Sequence, residues 1–140
     1  MLKEARKPTW HTSEYDKPIV IANYFGFQPI AAPRITEADI HASDYCLKLP
    51  HYDAAEKAAL VRTYIEEDFA SLPHPLALVY KRKPSRPAAS AGYGLHYIGA
   101  ATAIAEAALI RATLSILAEE GHQNMRVELN CVGDKDSLAS

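Results

Sequence analysis

The residues in this chain best suited to chemistry are four cations gathered around one connector: Lys81, Arg82, Lys83 and Arg86. Positive groups at that spacing could surround phosphate oxygens with charge-assisted hydrogen bonds. The plainer reading is a solvated basic tip on a hairpin. Carboxylates that could complete a site are dispersed. Glu106 lies within a long helical pattern and faces either a site or solvent. Glu128 and Asn130 share the polar side of an alternating segment and could line a cleft, although cross-strand ion pairing or simple exposure is the ordinary role. His41, Asp44, Cys46 and His51 invite a metal, but zinc needs closely paired ligands, and these spacings match no such pattern. No metal is therefore expected. His96 falls inside a strand and reads as a packed or hydrogen-bonded core histidine. No G-x-S-x-G elbow, Walker A or G-x-G-x-x-G sequence occurs. The eight tyrosines are scattered rather than arranged as a platform for stacking bases.

These groups must be positioned by a modest framework. The chain has 140 residues, 49% of them apolar, enough for one domain with a sizeable core. A net charge of −2 gives no polybasic signature of nucleic-acid binding. No apolar run approaches the roughly 20 residues of a membrane span, and the N-terminus lacks the apolar core of a secretory signal. Cys46 and Cys131 are far apart and read as reduced, buried thiols, so a cytoplasmic location is expected.

Residues 1–16 read as an irregular arm, and 17–140 as a core domain, incomplete as it stands. Lys17–Phe25 predicts a short helix with Pro18 in its first turn and Gly26 ending it. Phe27–Pro33 is extended, and its two prolines assign it to a sheet margin. Residues 34–52 show no sustained period and read as a loop or broken helical turns. Asp53, with Glu56 three residues on, resembles a capping box opening a helix. The stripe Leu60, Val61, Tyr64, Ile65 and Phe69 predicts its buried face. Strands are expected at Leu76–Lys83 and Leu95–Ile98, joined by the Pro- and Ser-containing connector 84–94 as an antiparallel hairpin. A helix follows from Ala101 to Glu120, apolar through Ile104, Ala108, Ile110, Leu114 and Leu117, with Gly121 as its stop. In Met125–Val132, Val127, Leu129 and Cys131 alternate with polar residues, predicting a half-buried strand.

Several of these segments, in this order, resemble the first half of a histidyl-tRNA synthetase catalytic core. The helix bearing Ala105-Glu106-Ala107, followed by Val127-Glu128-Leu129-Asn130-Cys131-Val132-Gly133-Asp134, is similar to the end of that half. Ile19–Phe25 running into Gly26-Phe27-Gln28-Pro29-Ile30 and Pro33 resembles the first class II motif, with Phe25 inserted and Ala32 where the family has threonine. That motif forms the dimer interface in the family, so the resemblance implies a homodimer touching through Tyr24, Phe27, Ile30 and Pro33. Leu60–Glu66 resembles the helix after the family's arginine-proline-glutamate-glycine signature, which implies Glu56 as a ligand of the amino-acid substrate. Glu106 and Glu128 are further implied substrate ligands.

The second class II motif is a strand, a loop and a returning strand, and residues 76–98 match it in order and size. The resemblance makes Arg82 the arginine that grips the ATP α-phosphate, with Lys83 and Arg86 as supporting ATP ligands and Mg²⁺ as the accompanying ion. Two residues on, Pro84 replaces the family's adenine-contacting glutamate, and Lys81 replaces an aromatic. The third motif, glycine-rich with a second arginine, does not occur. The implied fold is α+β, an antiparallel sheet flanked by helices. The implied parent activity is ATP-dependent aminoacylation of tRNA through an adenylate, with this chain alone expected to be inactive. The alternative is a non-catalytic regulatory or assembly module, like the synthetase-like subunit of ATP phosphoribosyltransferase. Neither a membrane nor DNA is an expected partner.

Overall fold

The computed structural model describes residues 16–46, 51–82 and 92–129. The described elements run α1 (Lys17–Tyr24), β1 (Gln28–Pro29), α2 (Glu37–Cys46), α3 (His51–Glu66), a 3₁₀ turn (Phe69–Ser71), β2 (Leu76–Lys81), β3 (Tyr93–Ile98) and α4 (Ala103–Glu119). The architecture is mixed α+β, with helices on both faces of a small sheet ordered β1-β2-β3. The expected hairpin is present: β2 and β3 pair antiparallel, with Leu78 opposite His96 and Tyr80 opposite Gly94. The sheet is not wholly antiparallel, because β1 runs parallel to β2 through Gln28–Leu78 and Pro29–Val79. As the prolines required, β1 is a two-residue margin strand, extended by the Ile30 amide donating to the Val79 carbonyl at 2.9 Å.

Strand alternation divides the core in two. On one face Ala77 and Val79 pack with Ile19, Ala22, Phe27, Ala112 and Ile116, which places α1 and α4 there. On the other, Leu76, Leu78 and Tyr80 pack with Ile30, Leu60 and Phe69 beneath α3. β2 is thus buried on both sides, which explains why Leu76–Tyr80 lacks a polar alternation. Two helix ends are closed by glycine as expected. Gly26 and Gly121 have φ of +87° and +91°. After α1 the Gly26 and Phe27 amides reach back to the Asn23 and Ala22 carbonyls, and after α4 those of Gly121 and His122 reach Ala118 and Leu117. Both are Schellman arrangements, which need a left-handed residue at that position.

Three expectations need correction. Residues 37–46, read as part of a loop or broken helical turns, form one continuous helix, α2. Its start is fixed locally: the Thr36 amide and hydroxyl both donate to Asp39 Oδ2 at 2.8 Å. It is fixed globally by Arg62 of α3, whose Nε donates to Asp39 Oδ1 at 3.2 Å. The α3 stripe is only partly buried; Leu60 and Phe69 are inside, whereas Val61 and Ile65 are 59% and 70% exposed. Finally, Met125–Leu129 forms no strand, and Val127 and Leu129 are exposed. In α4 the buried positions are Ala112 and Ile116, while Ile104 stands in solvent. The capping expectation also fails: α3 begins at His51, so Asp53 falls inside its first turn rather than at its cap. Cys131 and most of the 1–16 arm lie outside the described residues.

Candidate functional site

The polar centre of the molecule is built where α3 crosses the ends of the hairpin. Tyr80 and Arg82 project from β2 and its continuation toward α3, as does His96 from β3. His96 pairs with Leu78, so it is a diagonal neighbour of Tyr80 on the same face. From α3 comes Glu56, flanked by the buried small residues Ala54, Ala55 and Ala59 that let the helix sit close to the sheet. Glu56 and Arg82, 26 positions apart, meet in a two-pronged ion pair. Arg82 Nε donates to Glu56 Oε1 and Arg82 Nη2 lies against Oε2, each at 2.7 Å. Fork-to-carboxylate geometry of this kind is the strong form of the interaction. The Glu56 side chain is 7% exposed and that of Arg82 35%, so the arginine is the member that solvent solutes can reach.

Tyr80 completes the cluster. Its hydroxyl hydrogen-bonds His96 Nε2 at 3.0 Å, and the two rings lie nearly parallel, 10° apart. Burial, reinforced by the negative charge of Glu56 and opposed by Arg82, holds the phenol well above its ordinary range, so it stays protonated. Burial also depresses the basicity of His96; Glu56 opposes this, while Arg82 and Lys57 add to it. Both rings are therefore neutral hydrogen-bonding groups beside one carboxylate and one guanidinium. The room for them comes from glycines. A Cβ on Gly94 would lie 2.3 Å from Tyr80 Cζ, and one on Gly92 would touch Arg82 Cδ at 3.4 Å. A cavity of about 490 Å³ lies between β3 and the start of α4, lined by Leu95, His96, Tyr97, Thr102, Glu106 and Leu109 and by none of Glu56, Tyr80 or Arg82.

The basic tip is divided between the two faces. Lys81 points away from Arg82, toward Asp16 before α1, and its ammonium is 2.7 Å from Asp16 Oδ2. The Tyr93 hydroxyl donates to Asp16 Oδ1 at 2.7 Å, and the ammonium also sits 5.8 Å from the Tyr93 ring centre. Burial alone would raise the Asp16 carboxyl, but the hydrogen bonds from Lys81 and Tyr93 outweigh it and hold the carboxyl below its usual range. Tyr93 is pushed up to about 12 by burial and by Asp16. Lys81 and Asp16 thus tie the hairpin to α1.

Of the residues expected at a site, Glu56 and Arg82 are brought together. Glu106 is exposed near the start of α4, across the cavity from His96 rather than beside Arg82. Glu128 is exposed and paired with Arg126 at 3.2 Å. Lys83 and Arg86 lie outside the described residues. Of the implied dimer contacts, Tyr24 is 88% exposed, Pro33 is half-buried, and Phe27 and Ile30 are used inside the chain's own core. Tyr80, Gly94 and Asp16 were not anticipated. The alternation Gly92-Tyr93-Gly94 opposite Tyr80-Lys81-Arg82 carried the signal, because two small residues on one strand face make room for two large ones on its partner.

A guanidinium is a group that binds anions and a carboxylate one that binds ammonium ions, and in this structure each is engaged by the other. Among the described residues no group of three or more potential metal ligands forms. A Mg²⁺ ion at this place would be carried mainly by phosphate and water oxygens. No helix among the described residues is long and apolar enough to cross a membrane. Comparison with protein-family models, curated proteins and solved structures finds no match to this chain.

Proposed function

We propose that this chain is a divergent class II synthetase-like core of the histidyl type, and that the Glu56–Arg82 cluster is its ligand site. One observation carries the reading: the two residues that the resemblance assigns to the amino acid and to the ATP phosphate come from different elements and meet at 2.7 Å. A carboxylate and a guanidinium side by side suit a ligand with an ammonium next to an anionic group, as in an amino acid approaching a nucleotide phosphate. Arg82 holds the phosphate and Glu56 the ammonium, with the hydrogen-bonded Tyr80 and His96 rings on the same sheet face. Activation and tRNA charging belong to a parent activity; the chain itself is a binding unit, and Mg²⁺ enters with ATP.

A regulatory or assembly module is the second reading. It is favoured by the pairing of both Lys81 and Arg82 within the chain, which gives the basic tip a structural task. Exposed Tyr24 and Val20 on α1 supply the surface through which either form would pair with a second copy. Calorimetric titration of MgATP and histidine into the wild type and Arg82→Ala tests the first reading. It requires MgATP binding that the substitution abolishes. Absence of binding to the wild type, with an intact fold, rejects it in favour of the module.

A further inference from the structure

We propose that the outer edge of β3 is a self-association surface, at which two copies of this chain pair their β3 strands antiparallel about a two-fold axis through Leu95. The sheet order β1-β2-β3 leaves an edge on each side, and the two edges differ. β1 is two residues long and contains Pro29, which blunts that side. β3 runs for six residues, Tyr93–Ile98, with neither a proline nor a charged side chain, the usual devices that keep an edge strand from pairing. The register shows which backbone groups are on offer. The Arg82 amide donates to the Gly92 carbonyl at 2.8 Å, so that pair is hydrogen-bonded. By alternation Tyr80–Gly94, Leu78–His96 and Leu76–Ile98 are bonded pairs too. Tyr93, Leu95 and Tyr97 therefore turn their N–H and C=O groups outward, and no backbone group among the described residues meets them there. The extended segment Met125–Leu129 pairs with no strand.

The occupant that fits this edge is β3 itself. Its outward residues read Tyr-x-Leu-x-Tyr, the same in both directions. A two-fold axis on Leu95 sets that leucine against its own copy and Tyr93 against Tyr97 of the second copy, and no like charges meet. The side chains concerned share the face of α1 and α4. Two of them are already held: Tyr93 by its bond to Asp16, and Tyr97 by edge-to-face contact with Phe27, ring centres 5.0 Å apart. Pairing thus orders little that is not ordered beforehand. The cavity between β3 and the start of α4 lies along the same strand and gives room on that face for the second copy's side chains. This surface is separate from Tyr24 and Val20 on α1, and the inference stands whether or not the Glu56–Arg82 cluster binds a ligand.

The test is sedimentation equilibrium of the wild type, Leu95→Lys and the double variant Val20→Ser/Tyr24→Ser over about 1–500 µM, with circular dichroism confirming each fold. A wild-type dimer is expected. Leu95→Lys sets two ammonium groups against each other on the axis and should weaken the dimer by about tenfold, while the α1 variant leaves it unchanged. A wild type that stays monomeric throughout overturns the proposal. So does a dimer that survives Leu95→Lys, and its loss in the α1 variant would then assign the contact to α1. Should Leu95→Lys fail to fold, amide hydrogen exchange of the wild type decides. The Leu95 and Tyr97 amides should slow by at least about tenfold from the dilute to the concentrated sample, whereas those of Gly94 and His96, bonded to β2, are protected in both. Unslowed exchange at Leu95 and Tyr97 in the dimer overturns the proposal, as does slow exchange there in the monomer, which would mean that another segment of the same chain covers the edge.

Discussion

Gly94→Ala should damage this protein through one contact. The new Cβ would lie 2.3, 2.6 and 2.7 Å from Cζ, Cε2 and Oη of Tyr80. Carbon atoms pack at about 3.5–4.0 Å, so the ring must retreat by more than about 1 Å. It has little room to do so, because Tyr80 is 1% exposed and packed with Leu60, Phe69, Leu76 and Leu78. Overpacking of this kind costs about 1–3 kcal/mol. Loss of the Tyr80–His96 hydrogen bond adds about 1 kcal/mol. Replacing glycine in a strand returns about 0.5–1 kcal/mol, leaving a net loss of roughly 1–3.5 kcal/mol. Urea unfolding followed by far-ultraviolet circular dichroism measures this as a lower midpoint at unchanged slope. The companion variant Tyr80→Ala removes the ring and makes room for the methyl. In that background Gly94→Ala should be neutral or slightly stabilising, giving a coupling close to the whole single-mutant effect. A Gly94→Ala protein as stable as the wild type, or an equal loss in both backgrounds, would refute the packing argument.

Asp16→Asn should lower stability by about 1–2 kcal/mol, because a buried acceptor loses its charge against Lys81 and weakens its bond from Tyr93. In the same variant the Tyr93 phenol, held near 12, should titrate at lower pH in ultraviolet difference spectra. Because the folded-state pKa of Asp16 is lowered, its contribution is present above the ordinary carboxylate value of 3.8 and is lost as the pH falls through that value toward the folded one. His96 acts in a separate window. Burial lowers its folded-state pKa, so its share of stability is present above 6.5 and declines on acidification from there toward the folded value. Thermal melts between pH 7 and 5 should show that decline in the wild type and a smaller one in His96→Gln; identical slopes would contradict the assignment.

Local signals made much of this fold legible. Pro18 and Gly26 bracket α1, the prolines of 27–33 mark a margin strand, and Gly121 ends α4, each through a backbone constraint that acts within a few residues. The hairpin followed from two short apolar runs and one connector. What escaped notice depends on distant partners. The α2 helix is short and polar, and Arg62 of the next helix helps to hold its start at Asp39, so no periodicity announced it. Val61 and Ile65 fit the apolar stripe of α3, yet α2 and the sheet together leave that side of the helix exposed. The parallel pairing of β1 is a property of topology, which the prolines do not reveal. At the site, Glu56 and Arg82 were each named through a resemblance. Their ion pair, and the tyrosine and glycine packed on the same side of the hairpin, are tertiary facts.

The central claim is that ligands act at the cluster formed by α3 and the hairpin. Amide ¹H–¹⁵N spectra of the uniformly labelled chain, recorded during titration with MgATP, test it most directly. The account predicts the largest shifts at Ala54–Glu56, Tyr80–Arg82 and Gly92–His96, with little change along Val61–Ile65. Shifts concentrated elsewhere, or none at saturating MgATP, would contradict it.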